Sequence, residues 1–88
     1  MKIKEFLKES NWTKWQYAKD AEGNVCAVAD AKAEKFCLMG AAKKCYPEGM
    51  DMIRRLLDRE LGDMAITWND MPERTFEEVK AVVEKLDI

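Results

Sequence analysis

The chain has 88 residues, a length that supports one domain, residues 1–88, with one modest core. Hydrophobic residues make up 48% and charged residues 36%, which is globular composition and excludes a disordered or membrane-spanning chain. Fifteen basic residues stand against seventeen acidic ones, for a net charge of −2. That balance disfavours nucleic-acid binding through a basic field and equally disfavours acidic mimicry of DNA.

Taken in chain order, Lys2–Glu9 carries Ile3, Phe6 and Leu7 at helical spacing and predicts a short helix. Thr13–Lys19 sets Trp15 and Tyr17 in alternation with Gln16 and Ala18, the pattern of a strand. A loop over Asp20–Asn24 with Gly23 for the positive φ, then a returning strand Val25–Val28, completes an expected β-hairpin. Asp30 is the expected N-cap of a second helix running to about Cys45, with Ala33, Phe36, Cys37, Gly40 and Ala41 inward and the stem of Lys44 beside them. Within it Gly40 marks a close approach by another element. Tyr46-Pro47 breaks the chain, and a third helix spans about Gly49–Leu61, stopped by Gly62. Met64–Trp68 reads as strand or extended chain, and Asn69–Pro72 as a turn. Thr75 with Glu78 forms a capping box for a last helix ending near Leu86, with Phe76, Val79, Val82, Val83 and Leu86 inward. The expected fold is mostly α (α+β): about four helices in a small bundle with one short β-hairpin near the N-terminus.

Chemistry-bearing residues are sparse. Cys26, Cys37 and Cys45 are an odd set with no histidine beside them, which predicts free thiols in a reducing, cytoplasmic setting. Without histidine the usual Cys/His and Ser/His/Asp mechanisms are excluded within one chain, and spacings of eleven and eight residues suit zinc poorly. No catalytic residue, metal or cofactor is therefore expected. The longest apolar stretch, around Phe36–Ala42, falls far short of the ~20 residues of a membrane span. The charged opening through Lys2, Lys4, Glu5 and Lys8 contains no signal-peptide core. The six methionines read chiefly as core gap-fillers, with a pliable surface of Met39, Met50, Met52 and Met64 as the alternative.

Two polar-aromatic clusters stand out. Trp68, Asn69, Asp70 and Arg74 place an aromatic plate, amide and carboxylate acceptors and a rigid cationic fork within seven residues. Trp12-Thr13-Lys14-Trp15 is a second cluster, whose tryptophans suit an interface, and it adds Trp12 and Lys14 to the first if the hairpin packs beside the last turn. These six residues are the candidate binding site. The competing reading makes them a structural turn and half-buried tryptophans.

Several of these pieces together resemble a family of small uncharacterised proteins of bacteria and their phages. The resemblance rests on Trp12-Thr13-Lys14, Asp20 with Gly23, Ala33 with Phe36-Cys37 and Gly40-Ala41, Trp68-Asn69-Asp70, Arg74-Thr75 and Glu78-Val79. It runs from about residue 10 to residue 83 and carries no assigned activity. What it implies is a bacterial or phage origin, and a role in the fold or a site for Trp68, Asn69, Asp70, Arg74 and Cys37.

The function expected from these features is non-enzymatic binding, with another protein as partner and an accessory role in a phage or mobile element. The alternative is a small polar, nucleotide-like ligand held by Trp68, Asn69, Asp70 and Arg74. A cryptic enzyme ranks last, and a homo-oligomer remains open.

Overall fold

In the computed structural model, which describes residues 1–88, the centre of the molecule is a short helix that is buried almost all round. This helix, α2 (Leu38–Cys45), has five consecutive buried residues from Leu38 to Ala42. A helix with so little polar surface can only be core. Around it pack α1 (Ile3–Phe6), α3 (Met50–Leu61), α4 (Ala65–Asn69) and the strand β2 (Lys35–Phe36), while α5 (Phe76–Leu86) lies against α1. Ile3, Leu38, Met39, Leu57 and Val79 are the largest apolar side chains fully withdrawn from water. Each contributes about 1.5–3 kcal/mol by burial.

The mostly α, α+β expectation holds, with five helices and one two-stranded antiparallel pair. The strands lie elsewhere than the pattern implies. β1 is only Ala18–Lys19, and its partner is β2, in register Ala18 to Phe36 and Lys19 to Lys35. The expected returning strand Val25–Val28 supplies a single bridge, Val25 to Lys19. The expected helix from Asp30 is also corrected. The Asp30 carboxylate accepts the Lys32 N–H at 2.9 Å and its carbonyl accepts Ala33 N–H, so a turn replaces the first helical turn. Glu34 N–H then bonds the Lys19 carbonyl, drawing the chain into the sheet. Helix α2 begins seven residues later than Asp30 suggested, capped by the Cys37 Sγ, which accepts Gly40 N–H at 3.2 Å.

The first helix is shorter than Lys2–Glu9, giving way after Phe6 to a 3-10 turn at Glu9–Asn11. Helix α3 and Gly62, at φ 67, match the expectation closely. Of the Met64–Trp68 run, expected as strand or extended chain, Met64 is extended and the rest is helix: the Asp58 carboxylate reaches over from α3 to accept Ala65 N–H at 2.8 Å, capping α4. Thr75 and Glu78 form the expected box, with Glu78 Oε1 accepting Thr75 N–H at 3.0 Å and Thr75 Oγ1 accepting Glu78 N–H at 3.4 Å.

Gly40 is a close-approach position. An added Cβ would land on the Tyr17 carbonyl oxygen, which itself accepts Cys37 N–H. The partner is the bend that leads into β1 rather than a crossing helix. The chain ends are tied together: Asp87 bonds Lys2 and Lys4, Ile3 N–H meets the Ile88 carbonyl, and the Tyr46 hydroxyl donates to the same carbonyl at 2.8 Å. No helix is long and apolar enough to cross a membrane.

Candidate functional site

The six candidate residues from the two clusters converge at the C-terminal end of α4. Asn69 is the pivot. It is the one fully buried polar residue, at 0% exposure, and its amide is fully used. Its Oδ1 accepts the Trp12 indole N–H at 2.8 Å and Leu38 N–H at 3.1 Å. Its Nδ2 donates to the Thr13 carbonyl at 3.2 Å and to Asp70 Oδ1 at 3.0 Å. Two donors and two acceptor lone pairs are thereby satisfied, which is what burial of an amide demands. Asn69 thus locks α4 to the 12–13 segment and to the first turn of α2.

The neighbours extend the lock. The Lys14 ammonium donates to the carbonyls of Met71, at 2.7 Å, and Pro72, at 3.0 Å, and lies 5.6 Å from the Trp12 ring centroid. Asp70 Oδ1 accepts the backbone N–H of Trp15 at 2.9 Å. The Arg74 guanidinium stacks 3.8 Å from the Trp68 ring centroid, donates from Nε to the Trp68 carbonyl at 2.9 Å, and pairs with Glu78 at 2.8 Å. The Thr75 amide bond, aided by Arg74, holds the Glu78 carboxyl below its ordinary value. The Trp12 ring leans on Phe76 at 6.1 Å.

The structure therefore brings all six together and turns their polar groups on one another. Trp68 and Arg74 are half-buried, and neither of the two concavities of the surface is lined by any of the six. The cluster is a frame, and the frame displays something. Between Lys14 and Ala18 the chain is bent, not extended, and Trp15 has φ 77, a backbone conformation that bulky residues rarely adopt. Its side chain is 63% exposed.

Seven large hydrophobic residues are exposed in the whole chain, and Trp15, Tyr17, Met64 and Met71 are four of them. They share one seam. Trp15 is fastened by its N–H to Asp70, the residue that follows α4 and precedes Met71, whose Sδ accepts from Arg74 at 3.2 Å; Tyr17 reaches the other end of α4, where it lines a cavity with Met64 and Ile66. Segment 14–17 thus runs along α4 with its apolar side chains outward. Sequence reasoning placed Trp15 and Tyr17 on a strand and favoured the core for the methionines. Of the six methionines only Met39 is fully buried. Nothing in the alternation of Thr13–Lys19 signals a tryptophan at positive φ.

Cys37 is buried, and burial pushes its thiol up despite its place at a helix start. No group of three or more Cys, Asp or Glu side chains is placed to hold a metal ion.

Comparison with known families decides the relationship. The family of unknown function DUF6197 matches residues 2–86. The chain belongs to that family. The match takes in every helix and both strands, and therefore the frame around Asn69 and the whole seam. No curated protein and no solved structure matches the chain.

Proposed function

We propose that the protein is a non-enzymatic binding protein whose partner is another protein, and that the seam of Trp15, Tyr17, Met64 and Met71 is the contact surface. The observation that carries this reading is Trp15: a large aromatic held outward at a strained φ by the Asp70 carboxylate. Strain of this kind costs about 1–3 kcal/mol and persists where surrounding structure imposes it, often at functional sites. Tyr and Trp are favoured interface anchors, and Met adapts to a partner's shape. Trp12, Lys14, Trp68, Asn69, Asp70 and Arg74 then serve binding as the frame that fixes the seam, with Trp68 and Lys14 at its edge. The small-ligand alternative draws less support, because the Asn69 amide is spent internally and Asp70 and Arg74 are engaged. An accessory role in a bacterium or its phage is the setting the sequence resemblance implies.

Affinity capture from the native host tests the reading, with wild-type and Trp15→Glu proteins as paired baits. A partner held by the wild type and lost by an equally stable Trp15→Glu bait supports it. A partner held equally by both overturns it.

A further inference from the structure

We infer that the cavity at the Tyr17 end of the seam receives a bulky apolar side chain from a basic peptide segment of the partner. This rests on the protein-binding reading and names the chemistry of what is bound. The cavity is about 210 Å³ and is lined by Tyr17, Met39, Met64 and Ile66, with Arg54 and Asp58 of α3 beside them. That volume and lining suit one aromatic or branched aliphatic side chain, and the thioethers let the walls adjust to its shape.

Charge selects the rest of the segment. Two aspartates stand at the cavity end of the seam, and neither has a cation partner within 4 Å: Asp58, which lines the cavity, and Asp63, next to Met64 in the chain. Each instead accepts one backbone N–H, from Ala65 and Met64 respectively. The nearby guanidinium groups are already neutralised, Arg54 by Asp51 at 3.2 Å and Arg74 by Glu78 at 2.8 Å. Lys14 is turned onto the Met71 and Pro72 carbonyls. The apolar cavity has one lining cation, Arg54, already paired with Asp51, while Asp58 and Asp63 beside it have no cation partner; it complements lysine or arginine flanking an apolar anchor, and disfavours an acidic segment.

The test is an amide-resolved NMR titration of the full chain with blocked short peptides. The first has one phenylalanine between pairs of lysines; its counterparts carry glutamates in place of the lysines, or alanine in place of the phenylalanine. The lysine–phenylalanine peptide should bind saturably, shift the amides of Tyr17, Ala65, Ile66 and Arg54, and weaken as salt rises. Both counterparts should bind at least about tenfold more weakly. Met64→Lys, a change at an exposed position, should abolish binding with melting unchanged, and Asp63→Asn should weaken it severalfold.

Equal binding of the glutamate peptide overturns the charge argument, and equal binding of the alanine peptide overturns the role of the cavity. Blocked phenylalanine amide binding as tightly as the whole peptide would assign the cavity to a small ligand and overturn the inference. So would concentration-dependent shifts of the same amides in the protein alone, which would make the occupant a second copy. A captured partner lost by Trp15→Glu but retained by Met64→Lys would leave the seam standing while removing this occupant. Retention by both would remove the seam as well.

Discussion

The Asp70 carboxylate holds the backbone N–H of Trp15 at 2.9 Å, and Trp15 sits at φ 77. A residue with a Cβ is strained there, whereas glycine is not. In ordinary backbone Gly is less stable than Ala by about 0.5–1 kcal/mol. At position 15 that order should reverse, with Trp15→Gly more stable than Trp15→Ala by about 0.5–1 kcal/mol. Urea midpoints of the two variants check this. The ordinary order would mean that the bend carries no strain.

Asn69→Ala should destabilise by about 2–4 kcal/mol, because it removes the acceptor that the Leu38 N–H and the Trp12 indole N–H share at a residue fully withdrawn from solvent. Thermal or urea unfolding measures it. A loss under 1 kcal/mol would mean that the two donors find other partners, and that Asn69 is not the pivot of the frame.

Which parts of this architecture were legible in the sequence follows from where the governing interactions lie. Helices α3 and α5 are written locally: a continuous apolar stripe, Gly62 after one, the Thr75–Glu78 capping box opening the other. Helix α4 and the turn at Asp30 are decided by single carboxylates, Asp58 reaching across to Ala65 and Asp30 folding onto Lys32. In such short runs periodicity does not discriminate helix from strand. The partner of β1 lies beyond a long loop, where local pattern has no purchase. The meeting of Trp12 with Asn69 and of Lys14 with Met71 was legible as a cluster of suitable chemistry, but its inward direction was not. Side chains that bond one another and side chains that await a ligand have the same sequence. The exposed seam was hidden for the converse reason: where burial is unknown, a half-buried tryptophan or a core-filling methionine has the same sequence as one turned outward.

Gly40→Ala should cost about 2–3 kcal/mol or more, the upper end of overpacking penalties. Its new methyl meets the Tyr17 backbone carbonyl, not the yielding end of a side chain. Far- and near-ultraviolet circular dichroism with urea titration reads it. On an exposed helix face the same change would stabilise by up to about 1 kcal/mol, and that result would contradict the contact.

Acid stability should depend on Asp87. Its hydrogen bond to Lys4, then that to Lys2, lower its carboxyl from 3.8 to about 2. The folded value lies below the unfolded one, so the unfolded chain binds more protons between them. The stabilisation is therefore complete above the unfolded value and is lost as pH falls from about 4 to about 2. Urea midpoints across that window should drop less steeply for Asp87→Asn than for the wild type. Identical slopes would mean that the ties between Asp87 and the first helix do not persist in solution.

The central claim is that a frame built on Asn69 presents Trp15, Tyr17, Met64 and Met71 to a protein partner. Hydrogen-exchange mass spectrometry of the chain with and without its captured partner tests it most directly. The account predicts that protection gained on binding is concentrated in residues 14–17 and 64–71, with the 20–34 loops and the outer face of α5 unchanged. Protection confined to those loops or to α5, with the seam exchanging as in the free protein, would contradict it.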